Sequence, residues 1–459
     1  MPEPAAADAV YAARPKAYPR EIAGRFQRLR KFAVLLLLGL FYGAPWLNWD
    51  GRQAVLFDLP ARQFHVFGLL FLPQDFFLLT LLLICAALAL FFFTAVAGRL
   101  WCGYACPQTV WTETFLWMER WVEGDRARRI KLDKGPWTTE KVLRKTAKHA
   151  LWIGFSLFTG FTFVSFFTPR TELWQELIAL NLGGWELFWG LFYGFATYGN
   201  AGFMRENVCI YMCPYARFQS AMFDKDTLIV TYDEKRGEPR GGRPRGVDPR
   251  ERGLGACVDC TLCVQVCPTG IDIRDGLQYE CIGCAACIDA CDSVMDRVGY
   301  PRGLIRYATE TAIQGGKTHV LRPRIVIYAV LLGALLVGLG AAVALRTPLN
   351  VDLIADRGRL YRETGDGQIE NVYTLKVVNK SAAREHYRAT ISGLPGVVIE
   401  TDPAQFELAP GAVAVVPTRI RVPESAIGQQ VSTLTLTVLG ASGASAQHEV
   451  RFLGPVDND

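Results

Sequence analysis

Apolar and polar positions along this chain separate into long blocks. Five stretches are apolar over about the 20 residues that a membrane-crossing helix needs: residues 32–49, 76–97, 150–168, about 185–203 and 325–345. The second, FFLLTLLLICAALALFFFTAVA, carries no charge, and the fifth is rich in small residues (Gly333, Gly338, Gly340) suited to close helix packing. Residues 51–75 are mixed and aromatic and read as an interfacial loop containing His65. Beyond residue 345 the period changes. Short alternating runs (NVYTLKVVN, YRATISG, VVIETD, AVVPTRIRVP, STLTLTVLG) are separated by Pro and Gly turns, which predicts an immunoglobulin-like β-sandwich, with a β-barrel as the alternative.

Charge gives these blocks an orientation. Arg14, Lys16, Arg20, Arg25, Arg28 and Arg30 precede the first block, and no small-x-small cleavage site follows it, so the block reads as an uncleaved helix. Arg126, Arg128, Arg129, Lys131, Lys134, Lys141, Arg144 and Lys145 crowd the loop from Arg120 to Lys148, whereas only Arg170 stands between the third and fourth blocks. By the positive-inside rule the basic segments are cytoplasmic. The expected order is a cytoplasmic basic N-terminus (1–31), a four-span membrane domain (32–224), a basic linker (225–255), a cytoplasmic cysteine-rich domain (256–300), a basic connector (301–324), a fifth transmembrane helix (325–345) and a periplasmic sandwich (346–459). The fold class is thus a multidomain membrane protein with an α-helical bundle of about five spans, a ferredoxin-like domain and a β-sandwich.

Composition agrees with this division. Of 459 residues 51% are hydrophobic, with 27 Phe and 11 Trp, more than soluble domains usually carry. The net charge of +5 is modest, and no basic tract is interleaved with aromatics, so nucleic acid is not an expected partner.

Eight of the thirteen cysteines lie between Cys257 and Cys291. Cys257, Cys260, Cys263 and Cys267 stand at C-x2-C-x2-C-x3-C before Pro268, and the spacing returns at Cys281, Cys284, Cys287 and Cys291. A cubane of four irons and four sulfides offers one corner per iron, and each corner takes a thiolate. Three cysteines two residues apart wrap three corners, and the fourth ligates the neighbouring cluster. Cys257, Cys260, Cys263 and Cys291 are therefore assigned to one [4Fe–4S] cluster, and Cys281, Cys284, Cys287 and Cys267 to the other. Gly283, Ala285 and Ala286 let backbone amides approach the sulfides. Structural zinc uses two C-x2-C pairs separated by a longer loop, and disulfides require an oxidising compartment. Asp292 replaces the proline usual after the second run.

Two further motifs, Cys102-Gly-Tyr-Ala-Cys106-Pro107 and Cys209-Ile-Tyr-Met-Cys213-Pro214, each follow an apolar block, which suggests an internal repeat. If the two helix ends pack side by side, Cys102, Cys106, Cys209 and Cys213 meet. They could then hold copper, zinc or a further iron–sulfur cluster, or alternate between dithiol and disulfide. Spacing puts each pair on one helix face if the helix continues, whereas the proline favours a turn. Cys85, mid-block, reads as a packing residue. His65, His149, His319, His386 and His448 fall in loops, block edges or the last domain, which disfavours a membrane b-haem. Acidic residues are scarce in the apolar blocks, which disfavours a proton pump. Asn379-Lys380-Ser381 fits a glycosylation sequon but reads as a turn, and no flavin or nicotinamide fingerprint is present.

Taken together, the paired motifs WCGYACPQTVW (101–111) and VCIYMCPYARFQ (208–219), the two cluster runs and the terminal sandwich resemble the cytochrome c oxidase accessory protein CcoG/FixG/RdxA family, over nearly the whole chain. The resemblance implies a bacterial inner-membrane electron-transfer protein with two [4Fe–4S] clusters, acting in assembly of a C-family haem–copper oxidase. It further implies a cupric reductase, with Cys102, Cys106, Cys209 and Cys213 as the site where Cu(II) becomes Cu(I), and as partners the oxidase subunits or copper chaperones, a cytoplasmic electron donor and the lipid bilayer. Soft thiolates favour Cu(I), which makes that reaction chemically sensible. Rival readings are a membrane ferredoxin that passes electrons to a quinone or redox partner, and an assembly scaffold whose clusters sense redox state. Homo-oligomerisation is left open.

Overall fold

The computed structural model describes residues 16–243, 252–356, 358, 360–381 and 383–455. Within them the chain forms two compact units. One comprises residues up to 44 with 83–165 and 170–335, the other 45–82, 166–169 and 336 onward. This division differs from the sequence expectation of one membrane domain over 32–224, because residues 45–82 belong with the sandwich.

Among the described residues three helices are long and apolar enough to cross a membrane: Arg25–Trp46, Pro73–Ala97 and Pro323–Ala344. The helix Phe76–Ala97 agrees with the apolar block at both ends. The first helix begins seven residues earlier than expected, at Arg25, because distant groups satisfy its basic first turns. Arg30 forms a buried ion pair with Glu113 at 3.0 Å. The Asp289 carboxylate accepts from the backbone N–H groups of Phe26 (3.2 Å) and Gln27 (2.7 Å), capping the helix from another element. Gly24 leaves the room for it, since a Cβ there would lie 2.1 Å from Asp289 Cγ.

The third and fourth blocks also form helices, Thr139–Val164 and Gly184–Thr197, the latter continuing as a π-helical segment over Tyr198–Met204. Neither is among the three helices that meet the length and apolarity criterion. Thr139–Val164 starts in the charged run TEKVLRKTAKH, and the fourth is diluted by Gly, Tyr and Trp. The two pack at glycines, where a Cβ on Gly160 would fall 2.0 Å from the Gly190 carbonyl oxygen. The basic segment 120–148, expected as a loop, is helical for most of its length. Its basic residues sit on the ends of Pro107–Glu123 and Thr139–Val164 and on Arg126–Lys134, with Asp125 and Thr138 as N-caps.

The connector 301–324 and the described residues of the expected linker 225–255 are also more ordered than their composition suggests, with 244–251 lying outside the described residues. Strand Ile229–Tyr232 pairs antiparallel with Ile305–Ala308. Val230, Tyr232, Leu304 and Ile305 join the core that contains Cys257, Cys263 and Cys284. The cysteine-rich domain therefore extends to both strands and is wider than 256–300.

In the other unit, residues expected as an interfacial loop form a three-stranded antiparallel sheet, Val55–Asp58, Gln63–Val66 and Leu69–Phe71. Gln63 Nε2 donates to the Gly411 carbonyl at 2.9 Å, and Leu70 and Leu72 pack on Val378. The sandwich has one sheet in the order Val398–Thr401, Val413–Pro423, Gln368–Asn379, Leu349–Ala355, with Arg362–Glu363 also on Gln368–Asn379. The facing sheet runs Gln405–Leu408, Glu385–Ser392, Val431–Gly440, Ser445–Leu453. Alternation supplies the core: Leu434, Leu436 and Val438 point in from one strand and Leu375 and Val377 from another, all fully buried. Asn379 is buried, its Nδ2 donating to the carbonyls of Ala383 and Leu408 and its Oδ1 accepting from Ser381. The sequon is thus a turn, as the sequence suggested.

Candidate functional site

The two cysteine runs share one backbone design. In the first, Asp259 and Thr261 adopt left-handed conformations (φ +53° and +55°), and in the second Gly283 and Ala285 do so at the equivalent places (φ +66° and +60°). Three of these four are not glycine, so the loops hold strained geometry. Alternating left-handed residues turn successive N–H groups inward, a nest for negative charge of the kind found around iron–sulfur clusters. The Gly283 and Ala286 amides accordingly reach the sulfurs of Cys281 and Cys284. Sequence reading had singled out Gly283, Ala285 and Ala286 but not Asp259 and Thr261, whose side chains disguise the same turn.

Cys263, Cys267, Cys281, Cys284 and Cys287 line one cavity. Cys291 lies in the field of Cys263 and Cys257, and Cys263 in that of Cys260 and Cys257. Burial pushes the thiols of Cys281 and Cys291 up to about 12 and that of Cys263 to about 11. Among the described residues no three Cys, His, Asp or Glu side chains converge as ligands of a single ion. Eight thiols in two runs, each turned around a nest of the same backbone design, fit a pair of cubanes by donor chemistry.

The two C-x3-C-P motifs repeat each other. Each is a short helical turn, Leu100–Tyr104 or Val208–Met212, followed by a cysteine as N-cap and a proline opening the next helix, Pro107–Glu123 or Pro214–Met222. Proline prevails over helix continuation, so neither pair lies on one helix face. Cys106 accordingly sits at a helix N-terminus, where burial pushes its thiol up and the nearby Gln108 and Thr109 amides oppose that push.

The four cysteines share one neighbourhood, although no three of them converge as ligands of a single ion. Cys102 feels Cys106, Cys209 and Cys213, and Cys209 feels Cys106 and Cys213. Burial, with these neighbours adding to it, pushes the Cys102 and Cys209 thiols up to about 12 against the opposing charge of Arg99. They are therefore uncharged at neutral pH, and metal binding there must release protons.

Residues that pattern reading missed hold the motifs side by side. Gln108 Nε2 donates to the carbonyls of Asn200 (2.9 Å) and Arg205 (3.0 Å), tying the first motif to the chain entering the second. The Cys102 thiol donates to Gln219 Oε1 at 3.3 Å. Arg99 Nη2 donates to the Ala216 carbonyl at 2.8 Å and its Nη1 to that of Cys281 at 2.9 Å, so one guanidinium spans second motif and cluster loop. The only sequence signal for Arg99 was a charge ending an apolar block, equally read as a boundary. Cys85 is buried in its helix, as expected of a packing residue.

Family models agree with this layout. One described as a 4Fe-4S dicluster domain matches residues 204–310, one described as a 4Fe-4S binding domain matches 78–129, and one described as the IG-like fold at the C-terminus of FixG matches 339–455. Fold and site define an iron–sulfur redox protein with helices able to cross a membrane. Protein RdxB of Cereibacter sphaeroides is 41% identical over 397 residues, 83% of this chain and 83% of that protein. Protein RdxA of the same organism is 41% identical over 84% of each chain, and nitrogen fixation protein FixG of Rhizobium meliloti is 39% identical over 85% of this chain and 82% of its own. The chain belongs to the FixG/RdxA family.

Proposed function

We propose that this protein carries electrons one at a time from a cytoplasmic donor, through two [4Fe–4S] clusters, to Cu(II) bound as substrate at Cys102, Cys106, Cys209 and Cys213, releasing Cu(I) for the copper site of a haem–copper oxidase. The observation that carries the reading is that the four thiols share one neighbourhood, from which Cys102 packs on the core that contains Cys284. Cys257, Cys260, Cys263 and Cys291 would hold one cluster and Cys281, Cys284, Cys287 and Cys267 the other; bound there, the clusters supply reversible one-electron storage. The protein's own residues supply the rest. Thiolates formed there on binding favour soft, monovalent copper, which biases the ion toward reduction. The basic segments support a topology with N-terminus and clusters in the cytoplasm of a bacterial inner membrane and the sandwich in the periplasm.

The test is Cys102→Ala with Cys106→Ala in anaerobically purified protein. Cupric reduction by the dithionite-reduced variant should disappear while iron content and the ferredoxin-type signal persist, and undiminished reduction would remove the thiols from the reaction. A second reading has a specific observation behind it. The family model over 78–129 is described as binding 4Fe-4S, yet that segment includes Cys102 and Cys106 and neither ferredoxin run. On this reading the four thiols carry a third iron–sulfur centre, and iron analysis would find about four more irons per chain than two cubanes supply, lost in the double variant.

A further inference from the structure

We infer that electrons leave the cluster domain through the second run, across the contact between Gly103 and the Gly283–Cys284 loop, with Gly103 and Arg99 as positioning residues for this exit. The inference rests on the proposed reading of the four thiols as a metal site and adds the direction and route by which it is served.

Main-chain contacts and the hydrogen bonds around them carry it. A Cβ on Gly103, which lies between Cys102 and Cys106, would stand 3.0 Å from the Cα of Cys284 and from the C and O of Gly283. Those are backbone atoms and cannot swing aside, so the first motif touches the second cluster loop main chain to main chain. From the other side, a Cβ on Gly283 would stand 3.2 Å from the Arg99 carbonyl oxygen. Around this double glycine contact the loop is pinned by Arg99 Nη1 on the Cys281 carbonyl (2.9 Å) and by the Tyr307 hydroxyl on the Gly283 carbonyl (2.6 Å). Tyr307 in turn shares a hydrogen bond with Tyr104, inside the first motif. Electron tunnelling falls steeply with separation, so a backbone contact between a cluster loop and the motif bearing Cys102 is the short way out.

Cys284, behind this contact, is buried, whereas Cys260, at the equivalent place in the first run, is exposed. The step is a one-electron transfer with no proton required: a low-potential one-electron donor, dithionite in the assay, is oxidised, and each electron converts one Cu(II) to Cu(I).

The test uses the full-length protein, anaerobically purified with clusters intact, and Co(II) as a paramagnetic probe at the four thiols. The absorption band of thiolate-bound cobalt, lost in Cys102→Ala with Cys106→Ala, reports occupancy. The two cluster signals, in protein partially photoreduced with deazaflavin, are assigned by the signal that changes in Cys284→Ser and in Cys257→Ser. Cobalt should speed electron-spin relaxation of the signal that changes in Cys284→Ser and leave the other nearly unaltered. Equal effects, or a larger effect on the signal that changes in Cys257→Ser, would overturn the route. Absence of the cobalt band would instead overturn the metal-site reading, and the route with it. In a second measurement, Gly103→Val should retain iron content and reduction by dithionite, while reoxidation of its clusters by Cu(II) slows by about tenfold or more, as displacing a reacting group by ångströms does. An unchanged rate would show that the contact is not the exit.

Discussion

The Arg205 guanidinium donates to the Glu119 carboxylate across 2.8 Å, with both side chains buried, four residues before Cys209. Arg205 itself holds a left-handed backbone (φ +42°), and its carbonyl accepts from Gln108. Glu119 also faces Arg129 at 3.5 Å and Lys16 at 3.6 Å. One buried carboxylate therefore balances the cations that set the chain direction into the second motif, and a buried charge without its partner is expensive.

Glu119→Gln keeps the side-chain volume and removes the charge, leaving Arg205 and Arg129 buried without their carboxylate. The expected loss of stability is about 3–5 kcal/mol, read as a lower thermal midpoint in detergent, and Cys209 should alkylate faster as the turn loosens. A variant that melts with the native protein would show that water or other groups hold Arg205.

The crosswise assignment of the eight cysteines predicts which substitutions resemble each other. Cys291→Ser should alter the same cluster signal as Cys257→Ser, although thirty-four residues separate them, and Cys267→Ser the same signal as Cys284→Ser. If Cys267→Ser instead resembles Cys257→Ser, ligation follows sequence order and the shared cavity of Cys267, Cys281, Cys284 and Cys287 has another explanation.

Spacing made the cluster runs legible because cubane ligation fixes it, and alternation made the sandwich legible because Leu434, Leu436 and Val438 must share one face. Composition misled where a short element borrows its stability from a distant one. Strand Ile229–Tyr232 is four residues long and reads as linker until Ile305–Ala308 lies beside it. The helix starting at Arg25 looked like a charged flank because its cap, Asp289, comes from 262 residues further on. Residues 120–148 looked like a loop because charge density alone does not distinguish a solvated loop from helices whose charges pair internally, as Lys145 and Lys148 do on buried Glu123, each at 2.9 Å. Gln108, Gln219 and Arg99 were invisible for the same reason: their partners are tertiary.

Asp133 ties the N-terminal segment down, accepting from the Tyr18 hydroxyl at 2.6 Å and from Lys16 at 3.0 Å, with Lys145 as a third donor. Burial alone would raise its carboxyl, but the bonds from Lys145, Tyr18 and Lys16 outweigh burial and hold it well below the usual carboxylate range. A depressed folded-state value means the stabilisation is fully present above the unfolded value, about 3.9, and is lost as pH falls through the folded one. The stability gap between native protein and Asp133→Asn should thus be constant from about pH 7 to pH 5 and narrow below about pH 4. A gap unaffected by acid would mean that the carboxylate charge is not what holds the segment.

Asp289 joins the second cluster run to the first apolar helix, since it lies on Ala286–Val298, two residues after Cys287, and caps Arg25–Gly43. Asp289→Ala should cost about 1–2 kcal/mol as a lost N-cap, and the Phe26 and Gln27 amides should exchange faster with solvent while those within Phe76–Ala97 do not. Asp289→Asn keeps an accepting oxygen and should recover most of the loss. Because the cap touches neither thiol motif, dithionite reduction of the clusters should proceed at the native rate in both variants. Slow reduction with unaltered amide exchange would instead mean that the carboxylate charge acts on the neighbouring cluster loop and not on the helix.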